Sequence, residues 1–189
     1  TIRLSQMRIG VDLDGVVADF THGWTSQYKK DFGKEILEKD ITEWGLSKPL
    51  THFEEEIDFW NWAKNFNGSS IFRNLKIYEN AVEVLVELSI AGHEIVILSS
   101  KPWWSIHDTL IWLGENKIPS KEIHFIEDKW NINCDVYIDD APHQLENFVK
   151  HVPEKLILRF VRPYNRPVSG TKDLNDWMEL SSLLESYNL

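Results

Sequence analysis

The stretch Met7-Arg8-Ile9-Gly10-Val11-Asp12-Leu13-Asp14-Gly15 decides the fold. Residues 7–12 are short and apolar and end in a carboxylate, which reads as a buried strand followed by a polar turn. Similar runs recur at 94–99, 122–126, 135–138 and 155–160, so five strands are expected. Their apolar positions are continuous, not alternating, as in strands covered on both faces of a parallel sheet. Helical patterns lie between them at 80–91, 104–116 and 142–150, and a closing helix is expected at 173–187. In the first of these, Ala81, Val82, Leu85, Leu88 and Ala91 share one face, and Gly92 stands where a helix would stop. Alternating strands and helices predict an α/β fold built on a doubly wound, parallel, five-stranded sheet.

The first crossover breaks the pattern. About eighty residues separate the first two strands, where a dozen would suffice. Within it, 21–32 and 52–66 have helical patterns and carry Trp24, Trp60 and Trp62. This predicts a small helical cap at 21–76, inserted into an α/β core made of 1–20 and 77–189.

The bulk properties bound the function. A chain of 189 residues, 42% of them apolar, fits one domain with an insertion. A net charge of −10 argues against a nucleic acid polymer or an anionic membrane as partner. A phosphorylated small molecule would need local compensation from a metal ion or a lysine. The lone cysteine, Cys134, excludes an internal disulfide and a cysteine-based zinc cluster, and reads as a small buried hydrophobe. No apolar stretch is long enough to span a bilayer, no signal peptide is visible, and the missing initiator Met reads as a trimmed start. A cytoplasmic location is expected. Seven histidines show no ligand spacing, and Glu54-Glu55-Glu56 reads as a solvated helix face.

Ligands in such folds lie beyond the carboxyl ends of the strands. Asp12, Asp14 and Gly15 follow the first expected strand, and Ser99, Ser100 and Lys101 end or follow the second. Lys129 precedes the fourth, and Asp139 and Asp140 follow it. Carboxylates, a hydroxyl and an amine suit the handling of a phosphate with Mg²⁺, a hard ion that takes oxygen ligands. Asp12 is the candidate nucleophile, forming an aspartyl-phosphate while touching the metal. Asp14 is placed to protonate the leaving oxygen and then activate water. Ser99 would donate to a phosphate oxygen, with Ser100 in support. Lys129 would neutralise developing charge, and Asp139 and Asp140 would complete the metal shell.

Asp12-Leu13-Asp14-Gly15-Val16, Ile97-Leu98-Ser99-Ser100, Lys129 and Ile138-Asp139-Asp140 resemble the four motifs of the haloacid dehalogenase superfamily, in order, across roughly 7–160. Within it, the chain resembles the 5′(3′)-deoxyribonucleotidases. The likeness runs through Asp12-Leu13-Asp14-Gly15-Val16-Val17-Ala18-Asp19-Phe20, Glu127-Asp128-Lys129 and Ile138-Asp139-Asp140-Ala141-Pro142. The resemblance implies a Mg²⁺-dependent phosphatase acting on nucleoside monophosphates. It implies that Phe20 lines the nucleoside pocket and that Trp44, from the cap, packs on the base. It also implies a metal held by Asp12, the main-chain carbonyl of Asp14, and Asp139 or Asp140. Ser99 replaces the family's usual threonine. Lys101 before Pro102 departs from the family, which tends to have Pro directly after the hydroxyl pair. Trp60, Trp62, Trp103 and Trp104 read as packing.

Three other readings compete. A sugar or polyol phosphate would suit a cap rich in hydroxyl-binding groups. A phospho-receiver uses the same residue types, but places its lysine after the fifth strand. A silent binding protein would be expected to lack one of the site residues.

Overall fold

In a computed structural model the chain is described over residues 6–45, 49–65 and 67–187. Six parallel strands form one sheet: β1 (Arg8–Val11), β2 (Glu94–Ser99), β3 (Glu122–Phe125), β4 (Val136–Asp139), β5 (Leu156–Phe160) and β6 (Lys172–Leu174), in the order β3-β2-β1-β4-β5-β6. Six helices accompany them: α1 (Phe20–Phe32), α2 (Glu56–Lys64), α3 (Ala81–Ile90), α4 (Ile106–Glu115), α5 (Pro142–His151) and α6 (Leu180–Tyr187).

The expected five strands become six. Lys172–Leu174 pairs with β5, and the helix expected at 173–187 begins only at Leu180. Leu174, Trp177, Leu180 and Leu184 are all buried at near-helical spacing, which disguises the strand as a first helical turn. Asp173 instead receives the Arg159 guanidinium, with Nε–Oδ1 at 2.8 Å and Nη2–Oδ2 at 2.7 Å. That bidentate pair fixes the edge strand where apolar burial is scarce. The helix expected at 52–66 is shorter and runs from Glu56 to Lys64; its expected end at Phe66 lies outside the described residues.

The strand order reverses between β1 and β4, so the crevice at their carboxyl ends is the topological switch point. The turn after β1 is tight. Leu13 O accepts from the N–H groups of Val16, Val17 and Ala18, and Gly15 N–H donates to Ala18 O at 2.9 Å. Gly15 has φ 83°, and a Cβ there would lie 2.0 Å from Asp140 Oδ2, so no larger residue fits unmoved. Asp19 then caps α1, its carboxylate accepting from His22 N–H.

The excursion between β1 and α3 leaves and returns at one place. Asp19 N–H donates to Lys76 O at 2.8 Å, and Tyr78 N–H donates to Val17 O at 2.9 Å. Between these ties, α1 and α2 face each other through Trp24, Tyr28, Phe59 and Trp62, with Phe53 from the segment before α2 packed among them. These residues join the same apolar cluster as Ile9, Val11 and Leu13 of the sheet.

Candidate active site

The first-turn and strand-end residues converge. Lys129, on a short turn before β4, is 1% exposed. Its ammonium donates to Asp12 Oδ1 at 2.8 Å and to Asp139 Oδ2 at 2.6 Å. Burial opposes the charge on Lys129, yet the two carboxylates hold its pKa above the ordinary lysine value. Burial raises Asp12 to about 7; Lys129 pulls it down, while Asp139 and Asp14 push it up. Burial, with the charges of Asp12 and Asp139, raises Asp140 well above the ordinary carboxylate range.

Asp12, Asp139 and Asp140 each present an oxygen, all within 4.8 Å of one another. Asp139 is already occupied: Oδ2 takes Lys129, and Oδ1 accepts from Ala141 N–H at 2.9 Å. Asp140 is half occupied. Its Oδ2 accepts from Tyr164 OH, while its Oδ1 is buried with no hydrogen-bond partner. Leaving a buried carboxylate oxygen without a partner is costly. Three hard oxygen donors, one of them orphaned, fit a divalent metal ion.

Asp12 and Asp14 open onto a cavity of about 310 Å³. Ser99, Ser100, Lys101 and Lys129 line the same floor. Aromatic rings line the same cavity. Phe20 stacks on Phe72 with centroids 5.5 Å apart and on Trp60 at 6.1 Å. Trp44, 50% exposed, stands at the rim, edge-on to Tyr164 at 5.6 Å and to His143 at 5.5 Å. Every site residue expected from the sequence therefore borders this cavity or, in the case of Asp139, lies behind it on Lys129.

Some expectations of the aromatic and charged residues need correction. Trp60 is not packing alone, because it stacks in the cavity wall and its Nε1–H donates to Glu56 Oε1 at 3.1 Å. Glu56 is exposed but borders the cavity as well. Trp103 is 79% exposed and hardly packed; Lys64 Nζ approaches its ring at 5.7 Å. His143 lines the cavity. Cys134 is fully buried, as expected, and burial pushes its thiol up to about 12.

The sequence reading misses the residues that brace the site from the C-terminal side. Arg162 donates from Nε to Gly15 O at 2.6 Å, its guanidinium flat against Tyr78 at 3.7 Å and Phe160 at 4.4 Å. Trp177 Nε1–H donates to Val16 O at 2.9 Å. Asn165 Nδ2–H donates to Asp140 O at 2.8 Å and Phe160 O at 2.9 Å, while its Oδ1 accepts from Arg159 and from Arg162 N–H. The contacts from Arg162 to Gly15, from Trp177 to Val16 and from Asn165 to Asp140 each span a loop return, and no local motif announces them.

An aspartate paired with a buried lysine at the switch point of a parallel sheet, beside two more buried carboxylates, is the arrangement of a haloacid dehalogenase-type hydrolase. Solved structures agree on the fold. A HAD family hydrolase from Deinococcus radiodurans superposes with a TM-score of 0.65 at 16% identity, covering 98% of each chain. A dehalogenase structure gives a TM-score of 0.59 at 15% identity, over 95% of this chain and 97% of that one. The family described as "5' nucleotidase, deoxy (Pyrimidine), cytosolic type C protein" matches residues 6–187, and the chain belongs to that family of phosphoric monoester hydrolases. The 5'(3')-deoxyribonucleotidase of Clostridium acetobutylicum is 26% identical over 97% of both chains. That of Bacillus subtilis is 26% identical over 93% of this chain and 97% of its own. No helix among the described residues is long and apolar enough to cross a membrane.

Proposed function

We propose that the chain hydrolyses (deoxy)ribonucleoside monophosphates with Mg²⁺, through an aspartyl-phosphate on Asp12. The observation that carries this is the facing of Asp12 and Lys129, 2.8 Å apart, against a stacked aromatic wall across one cavity. The wall suits a flat base. Glu43 and Glu56 also border the cavity and would accept from sugar hydroxyls.

In the proposed reaction the phosphate lies on the floor, with Ser99 and Ser100 donating to its oxygens and Lys129 neutralising charge. Lys129 occupies Asp12 Oδ1, which leaves Oδ2 to attack phosphorus. The bond from phosphorus to the ester oxygen breaks, and its electron pair stays on that oxygen. Asp14 supplies the proton. Asp14, now ionised, removes a proton from water, whose oxygen attacks phosphorus and returns the bonding pair to Asp12. Asp12, Asp140 and the main-chain carbonyl of Asp14 would hold the metal, and Asp139 would orient Lys129. The orphaned Asp140 Oδ1 supports that division. When bound, the ion supplies charge that offsets the phosphate oxygens.

Residues 21–76 are proposed as the cap over this floor; the paired ties at Asp19–Lys76 and Val17–Tyr78 support those bounds. A panel of phosphate esters assayed with Mg²⁺ tests the function. Deoxynucleotides are expected to lead. If sugar phosphates outrun every nucleotide, the nucleotidase reading fails and the sugar phosphate reading replaces it.

A further inference from the structure

The proposed steps use Asp12, Asp14, Ser99 and Lys129 and leave Lys101 unassigned. Its position is unusual for a lysine. The side chain is 3% exposed, and its ammonium lies 3.2 Å from Asp14 Oδ1. The same ammonium stands over the Phe72 ring, 4.4 Å from the centroid. Phe72 belongs to the excursion between β1 and α3, whereas Lys101 follows β2 and Asp14 follows β1. Three separate parts of the chain thus fix one charge.

We propose that Lys101 is a positioning residue: it holds Oδ1 of Asp14 so that Oδ2 faces the leaving-group oxygen. The inference rests on the phosphatase reaction proposed above. An aspartate carboxyl rotates broadly about its last torsion. Asp14 Oδ1 is buried without a hydrogen bond and meets the ammonium as an ion pair, while 23% of the Asp14 side chain remains exposed. Pinning Oδ1 therefore selects the oxygen that meets the substrate. As the ester bond breaks, its electron pair goes to the leaving oxygen, which takes the proton from Asp14 Oδ2. The negative charge left on Asp14 is met at Oδ1 by the ammonium, which keeps its own protons throughout. When Asp14 later takes a proton from water, the same contact keeps it aimed.

The leaving group supplies the test. A nucleoside hydroxyl leaves poorly without a proton, whereas nitrophenolate leaves readily. Lys101→Met is assayed with Mg²⁺ on a deoxynucleoside monophosphate and on 4-nitrophenyl phosphate. For the nucleotide, kcat is expected to fall about tenfold or more beyond its fall for the nitrophenyl ester, a part of the ~10²–10⁴-fold that general acid–base catalysis supplies. Lys101→Arg is expected to recover most of that difference. Lys101→Gln, which keeps polarity, takes the same test where methionine is not tolerated. Equal losses of kcat on both esters would overturn the proposal. So would raised KM on both with kcat kept, which would make Lys101 a phosphate clamp. If wild type turns over neither ester, the phosphatase reading itself falls; if it turns over both, the variants' kinetics bear on Lys101 alone.

Discussion

Asp12 earns its candidate role from its neighbours. A carboxylate buried beside two others would stay protonated near neutral pH, and Lys129 is what draws it back toward ionisation. Asp12→Asn is expected to lower kcat by about 10³-fold or more while thermal unfolding stays near wild type. Retained turnover would exclude Asp12 as nucleophile. Trp44 borders the same cavity, half-exposed and edge-on to Tyr164 and His143. Trp44→Ala is expected to raise KM for nucleotides about tenfold, the value of a ring stack, and KM for nitrophenyl phosphate far less. Equal effects on the two substrates would reduce Trp44 to packing. The chemistry-bearing residues are legible because each stands next to an apolar run that marks a strand. Lys101 is read as a strand-end residue without a role of its own, and Tyr164 is not singled out at all. Their partners, Asp14 and Asp140, lie 87 and 24 residues away, and sequence spacing carries no trace of that return.

At the scale of elements, four of the five strands legible in the sequence are largely buried, while β3, with no buried residue, is legible from its apolar positions alone. β1, β4 and β5 have three, four and five buried residues, most of them apolar, and that burial sets their place. β6 has one buried residue in three and depends on the Arg159–Asp173 pair instead, a polar contact that composition does not reveal. The loop between β5 and β6 returns Asn165 under the metal-type carboxylates, where its amide makes four hydrogen bonds. Asn165→Ala would orphan buried partners at Asp140, Phe160 and Arg159. At about 1–3 kcal/mol for each buried group left unsatisfied, a loss of several kcal/mol in unfolding free energy is expected. Loosening of the Asp140 turn is expected to weaken divalent-ion affinity in the same variant, read by calorimetric titration. A stability loss without any change in ion affinity would confine Asn165 to the fold.

At the scale of the whole molecule, three carboxylates are buried together at the heart of the site. Burial raises Asp12 from the ordinary 3.8 to about 7, and raises Asp14 and Asp140 in the same direction. Between those values the folded protein holds protons that the unfolded chain has released. The resulting stabilisation is complete below about pH 4 and is lost as pH rises through about 7. In chelator, the midpoint of thermal unfolding is therefore expected to drop between about pH 5 and pH 8, by roughly 2–4 °C for each kcal/mol. If Mg²⁺ is the ion of the proposed site, saturating Mg²⁺ is expected to restore most of that loss at the alkaline end, because an ion at the proposed site would bind the ionised carboxylates. A midpoint that stays flat with pH in chelator would mean that burial does not hold these carboxylates in their protonated form.

The paired ties that join Asp19 to Lys76 and Val17 to Tyr78 bring the two ends of the excursion to a common stem. A loop closed at its stem can change length and content without shifting the register of the sheet. Heredity can then treat recognition and chemistry as separate traits. Exchanging the segment between the ties for a relative's is expected to carry over that relative's substrate preference, while the aspartates on the strand ends continue to do the chemistry.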